Sequence, residues 1–446
     1  MEKNIPRLLI TAINSGSGKT LFTMGFLRLL QNKGLNIASY KCGPDYIDTS
    51  FHKKALNLPC RNIDLFLSDI NTLKNIISAD CDVAIIEGVM GFYDGIAYSS
   101  DASSYDISHQ TDTPAVLIVD AKGKAATLKA IIYGMLNYKE NNIKAVILNK
   151  IHKQSYEMYK DIIEKELNIK VAGYLPEIKD AKLNSRHLGL ITAEEIKNID
   201  EVINKVAENI NEFIDVDLLL NIAGSAKPIY YNEIKIEHMG TCRIGIARDE
   251  AFCFYYEDNI RVLKEMGAEI IYFSPLHDKY LKEDLHGLIF YGGYPELYIQ
   301  KLSENKSFIA SLKKAYEKNI PLMAECGGYM YISKSIDNIE SAALIEGSAY
   351  MTNRLQNFGY INVTSQKNSM ILKKGEVIKA HEFHYSKMDN ESNDCFMEKP
   401  AGNKKWQGAK ISDNLYAGYP HLYYLGNINI AKRFMEKALN FKRDNR

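Results

Sequence analysis

Six short apolar runs in the first half of the chain restrict its fold more than any other feature. Residues 8–12, 37–40, 83–86, 115–119, 145–148 and 171–175 are rich in β-branched residues, and most of these runs are apolar throughout. They lack the alternation of a strand with one wet face. Such strands are buried on both sides, as in a parallel sheet covered by helices. Residues 20–32 read as one of those helices, with Gly34 just past its end as a stop. The pattern restarts at Cys242, with strands expected at 243–247, 269–273, 288–291 and 321–324 and helices at 254–266 and 308–318. The fold class is therefore α/β, in two α/β domains. Between them, residues 192–222 have helical periodicity, with Thr192 and Glu195 placed as a capping box. The expected boundaries are 1–223, a polar Gly/Pro-containing linker at 224–241, and 242–446.

Composition narrows the function classes. Lys plus Arg equals Asp plus Glu at 55 each, so there is no global basic field for nucleic acid or an anionic membrane. No stretch reaches the ~18–20 apolar residues of a membrane span, and the first residues lack a signal-peptide pattern. Seven scattered cysteines without a CxxC pair read as reduced thiols with no zinc site. These traits fit a cytoplasmic multidomain enzyme.

TAINSGSGKT, residues 11–20, sits where a strand ends and a helix begins. Gly16 and Gly18 let backbone N–H groups turn inward, and the helix N-terminus adds partial positive charge. Lys19 reaches outer phosphates and the Thr20 hydroxyl ligates Mg²⁺. Ile13 stands where the usual GxxxxGK[ST] pattern has glycine, so this is a variant P-loop; the competing reading is a Gly/Ser turn with an incidental lysine. Phosphoryl transfer also needs carboxylates near the metal. Glu87 ends the run VAIIE in the position of a Walker-B acid. Asp45 and Asp48 lie in KCGPDYID, after the second strand, where a turn former and a helix N-cap are the alternatives. Asp94 in GFYDG has the spacing of a turn former.

The second domain carries PLMAECGGYM, residues 321–330. An apolar run ends at Cys326, two glycines follow, and a helix begins, which is the logic of a nucleophile elbow. The helix N-terminus is expected to lower the thiol pKa. Gly292 and Gly293, in YGGYPE, follow another strand and offer backbone N–H groups for an oxyanion hole. His421 is the expected base for Cys326, with His381 and His384 as rivals. The other reading of Cys326 is a small buried apolar residue.

INSGSGKT, KCGPDYIDTSFH, EGVMGFYDG, YGGYPE, AECGGYMYI and HEFHYS, in this order, resemble the cobyrinate a,c-diamide synthase family over essentially the whole chain. The resemblance implies an N-terminal P-loop domain similar to dethiobiotin synthetase and a C-terminal triad-type glutamine amidotransferase domain. It implies ATP and Mg²⁺ as cofactors, with ATP held by Gly16, Gly18, Lys19, Thr20 and Asn149, the last reading adenine. Thr20, Asp48 and Glu87 are expected at the metal. Lys41, Asp45 and Asp94 are expected at the corrinoid, although Asp45 and Asp48 can exchange these roles. Cys326 and His421 are expected to release ammonia from glutamine for the a- and c-acetates, through acyl phosphates. The implied partners are these small molecules, and a homodimer is allowed. Two departures stand out. Triad glutaminases end in His-x-Glu, whereas this chain has Tyr423 after His421-Leu422, so the third member is missing or supplied elsewhere. Ala324 replaces a more usual glycine. Nickel-sirohydrochlorin is a near alternative substrate, and a P-loop switch ATPase with a partner-binding domain is the alternative from another class.

Overall fold

All six apolar runs of the first half are strands. The computed structural model describes residues 1–178, 185–186, 189–190 and 198–445, in two units, Met1–Ile234 and Lys235–Arg446. The first contains β1 (Arg7–Ala12), α1 (Lys19–Asn32), β2 (Ile37–Cys42), α2 (Ile47–Leu56), β3 (Cys60–Ile63), β4 (Val83–Glu87), β5 (Ala115–Asp120), β6 (Ile143–Asn149) and β7 (Lys170–Leu175). They form a parallel sheet in the order β3-β2-β4-β1-β5-β6-β7. Leu8, Leu9 and Ile10 are fully buried, as expected for a central strand covered on both faces. The topology sets β4 between β1 and β2, with Glu87 paired in register with both Ile10 and Lys41. Residues far apart in sequence thus meet at the carboxyl ends of the strands, where open α/β sheets bind ligands.

The helical segment expected at 192–222 is described as two helices, Ile199–Phe213 and Val216–Gly224. Asp215 caps the second by accepting from the Leu218 N–H. The Thr192–Glu195 capping box lies outside the described residues. Within the stretch 224–241, Ile229–Tyr230 pairs antiparallel with Glu2–Lys3, attaching that part to the first unit's edge.

In the second unit, β8 (Cys242–Ala247), β9 (Ala268–Phe273), β10 (Gly287–Phe290), β11 (Leu322–Glu325) and β14 (Leu415–Gly418) build a sheet in the order β9-β8-β10-β11-β14, all parallel. Lys410–Ile411 adds an antiparallel edge. The helix α3 (Gly327–Ile332) follows β11 directly. A second sheet was not foreseen. It is built on β12 (Ala349–Ser365) and β13 (Val377–Met388), with β15 (His421–Leu422) beside β13. Most of β12 is only partly buried and mixes polar with apolar residues, so its sequence carries little sustained strand periodicity. Among the described residues no helix is long and apolar enough to cross a membrane.

Candidate active site

At the end of β1, Gly16 and Gly18 have φ of 79° and 97°, a left-handed conformation that glycine adopts without steric cost. Gly18 is also close to Asn149, whose Nδ2 would lie 2.4 Å from a Cβ at this position. Asn149, at the end of β6, donates from Nδ2 to the Ser17 carbonyl at 2.8 Å. Here its side chain supports the loop backbone. Lys19 is 7% exposed and donates to the carbonyls of Asn14 (3.1 Å) and Met90 (2.6 Å). Burial, and then the neighbouring Lys41, push its pKa down to about 8. A buried ammonium in that state gains from an arriving polyanion.

Glu87 is the hub of the site. Its Oε1 accepts from Thr20 Oγ1 at 2.8 Å and from Lys41 Nζ at 3.1 Å, and its Oε2 lies 2.5 Å from His52 Nε2. Burial alone would raise its pKa, but Lys41, His52 and Thr20 outweigh burial and hold the carboxyl well below the usual range. Lys41 also pairs with Asp48 at 2.7 Å and donates to the Gly88 carbonyl. Burial opposes its charge, yet Asp48, Glu87 and Asp45 raise its pKa. Lys41 is thus committed to protein acceptors, with its side chain 2% exposed. Asp48 is pushed up to about 7 by burial and then by Asp45. Asp45 accepts from the N–H groups of Ile47 and Asp48 and so caps the start of α2. Asp94 is exposed, and its Oδ2 accepts from the Gly91 N–H, closing that turn.

Mg²⁺ fits this donor set. It takes hard oxygen ligands, one or two of them carboxylates, and keeps waters and phosphate oxygens for the rest. Thr20 Oγ1 and Glu87 Oε1 are such a pair, with Asp48 reached through Lys41. Among the described residues no three His, Cys, Asp or Glu side chains form a cage for a metal held by protein alone. His52 was missed by sequence reasoning. It lies four residues after Asp48 on α2, one turn along the same face, with Ser39 Oγ 2.7 Å from its Nδ1. That i, i+4 spacing was the available signal.

In the second unit Cys326 occupies a sharp turn, with φ 48° and ψ −107°. A positive φ at a non-glycine residue is strained, and here it falls at a strand-to-helix turn of the shape expected for a nucleophile elbow. Its N–H donates to the Gly418 carbonyl at 2.8 Å, and the Gly328 N–H donates to the Tyr291 carbonyl at 3.1 Å. A Cβ on Gly327 would lie 2.9 Å from the Gly293 nitrogen, so the Gly-Gly loop and the elbow lie against each other. The thiol pKa does not fall as expected. Burial, then Glu296, raise it, and Glu382 and Glu325 add to the effect. α3 has only six residues, and its N-terminal field does not offset desolvation and three carboxyl groups.

His421 is buried. A Cβ on Gly292 would lie 2.5 Å from its Cε1 and 3.4 Å from its Nε2. Burial, then His384, push its pKa down to about 3, so the resting ring is neutral. The strand pair β13–β15 sets His381 opposite His421, and His381 is flanked by Phe358, Tyr360 and Phe383. His384 stacks on Tyr419 at 3.7 Å, with Nδ1 near the Ser386 carbonyl (2.9 Å) and Nε2 near Glu382 (3.3 Å). Cys326 Sγ faces the Phe383 carbonyl at 3.9 Å.

Gly292→Ala is expected to lower glutamine hydrolysis by about 10- to 100-fold, because its methyl group would displace the His421 ring and a shift of about 1 Å is worth that much. Glutamate release by the variant is the measurement, with ammonium-driven synthesis as the control for folding.

Comparison with known proteins places both halves. Residues 8–191 match the CobQ/CobB/MinD/ParA nucleotide binding domain, and residues 243–428 match the CobB/CobQ-like glutamine amidotransferase domain. The cobyrinate a,c-diamide synthase of Caldanaerobacter subterraneus subsp. tengcongensis is 38% identical, covering 98% of this chain and 99% of the relative. That of Clostridium tetani is 39% identical over 96% of this chain and 99% of the relative. That of Thermoplasma volcanium is 33% identical over 98% of both. With two matching domains and relatives of this similarity along nearly its full length, the chain belongs to the cobyrinate a,c-diamide synthase family of glutamine-dependent amide ligases.

Proposed function

We propose that this enzyme amidates the a- and c-acetate side chains of cobyrinate in cobalamin biosynthesis, using ATP and ammonia released from glutamine. The observation that carries this reading is the pairing of a phosphate loop with a strained cysteine elbow in one chain of this family. A carboxylate cannot be amidated directly, because its oxygen leaves poorly. In the proposed cycle a substrate acetate oxygen attacks the terminal phosphoryl group of ATP, giving an acyl phosphate and ADP. Ammonia then attacks the acyl carbon, and phosphate departs with the C–O bond.

Gly16, Gly18 and Lys19 are proposed to hold the phosphates. Thr20 and Glu87, with Asp48, would hold Mg²⁺, which supplies charge compensation at the transferred phosphoryl group when bound. Lys41 holds Glu87 ionised and pairs with Asp48, whose carboxyl pKa burial and Asp45 nonetheless raise, and Asp45 orders the start of α2 beside them. Asn149 is the proposed adenine reader, and Asp45 and Asp94 remain proposed corrinoid contacts; Lys41, buried against Glu87, Asp48 and the Gly88 carbonyl, is not placed to touch the corrinoid.

In the glutaminase reaction, Cys326 Sγ attacks the carboxamide carbon while its proton passes to His421. The Gly292–Gly293 loop is the proposed oxyanion hole. The C–N bond breaks, ammonia leaves with the proton from His421, and water hydrolyses the thioester to glutamate. His421 is favoured as the base because its Cε1–Nε2 edge faces Gly292, in the loop that lies against the Cys326 elbow.

Cobyrinate, ATP, Mg²⁺ and glutamine supplied together should give a product two amides heavier by mass spectrometry. Nickel-sirohydrochlorin in a parallel reaction is the discriminating arm. Amidation of that macrocycle alone would sink the cobyrinate reading.

A further inference from the structure

We propose that Glu325, the residue immediately before the nucleophile, is the positioning carboxylate for His421 and takes the place of the Glu that triad glutaminases carry two residues after their histidine. The inference rests on the glutaminase reading above. Tyr423 occupies the usual position, but its hydroxyl turns to Asp258 Oδ2 at 3.3 Å and its ring packs edge-on against Tyr256. Glu325 instead ends β11 with 1% of its surface exposed. Its Oε2 lies 3.7 Å from His421 Nδ1, and the Leu422 N–H donates to the same carboxyl group. Its Oε1 has no hydrogen-bond partner among the described residues. A carboxyl buried with an oxygen unsatisfied is costly for a fold and marks a functional element.

The orientation is the one the chemistry requires. One edge of the His421 ring, Nδ1, faces Glu325, and the other, Cε1–Nε2, faces the Gly292 loop. Burial raises the Glu325 pKa well above the usual carboxyl range, against the pull of the Leu422 N–H; ionised against Nδ1, it would hold the proton on that nitrogen, leave Nε2 to take the thiol proton, and stabilise the imidazolium so formed. A distance of 3.7 Å is within ion-pair reach and a few tenths of an ångström beyond a hydrogen bond. Catalytic hydrogen bonds commonly tighten when substrate binds. Glu325 and His421 are 96 positions apart in sequence, and their juxtaposition comes from β15, whose His421 and Leu422 both lie against the end of β11.

The test uses the full-length enzyme with Glu325→Gln and Glu325→Asp. Glutaminase kcat and the KM for glutamine are measured, alongside ammonium-driven amidation. Glu325→Gln is expected to lower kcat by roughly 10²-fold or more while the KM for glutamine changes less than about threefold. Ammonium-driven synthesis should stay near wild type, and Glu325→Asp should recover part of kcat. Wild-type glutamine hydrolysis with an unaltered kcat in Glu325→Gln would overturn this proposal alone. A fall of glutaminase and ammonium-driven activity together in both variants would also overturn it, marking the carboxyl as a folding element. No glutamine hydrolysis by the wild type would overturn the glutaminase reading and this proposal with it.

Discussion

Cys326→Ser is expected to abolish glutamine-driven amidation, by roughly 10³-fold or more, and to leave ammonium-driven amidation close to wild type. The surroundings of the residue make the loss severe. Burial and the carboxyl groups of Glu296, Glu382 and Glu325 already raise the thiol pKa, and the neutral ring of His421 is a weak base at rest. A serine hydroxyl, far less acidic than a thiol, has no route to ionise in such a place. Its oxygen is also smaller than sulfur, so the fold loses no essential contact. The Cys326 N–H and the Gly328 N–H keep their bonds to Gly418 and Tyr291. Amides counted by mass spectrometry, with glutamine or ammonium chloride as nitrogen source, separate the two activities. Intact glutamine use by the variant would remove the elbow from the mechanism.

Lys19→Ala should lose amidation with either nitrogen source, by roughly 10²- to 10³-fold, the usual effect of removing one preorganised donor to transition-state charge. Lys19 binds only carbonyl oxygens in its hydrogen bonds, to Asn14 and Met90, and sits beside the cationic Lys41. Burial and that neighbour weaken its charge, so its favourable partner is an incoming phosphate. The fold is expected to persist, because Lys41 rather than Lys19 compensates Glu87 and Asp48 by direct ion pairs. ADP release and amide formation with ammonium, together with the thermal unfolding midpoint, make the measurement. Ammonium-driven synthesis surviving at wild-type rate would show that the loop does not activate the carboxylate. The contrast with Cys326→Ser matters, since that variant should lose only one nitrogen source.

The local elements were legible because their signals are local. Buried parallel strands announce themselves as unbroken apolar runs, and all six runs of the first unit became strands of one sheet. The phosphate loop and the elbow were equally plain, since each needs glycines at fixed offsets between a strand and a helix. Gly18 bears this out with its positive φ and its closeness to Asn149. The second sheet escaped because β12 mixes polar and apolar residues at partly buried positions without a sustained alternation and gains its order from pairing with β13. The direction of the Cys326 pKa was misjudged for a related reason. A helix N-terminus can be read from sequence, but three carboxyl groups near the sulfur and its burial cannot.

The sequence alone therefore determined the two α/β units, the loop that suits a nucleotide and the cysteine that suits a thioester, because those depend on neighbours within about ten residues. Tertiary structure decided which charges compensate one another. It bound Lys41 to Glu87 and Asp48, set His52 behind Glu87, and brought Glu325 to the ring of His421. Electrostatic interactions act over a few ångströms whatever the separation along the chain, so only the fold can say which of the chain's balanced charges meet.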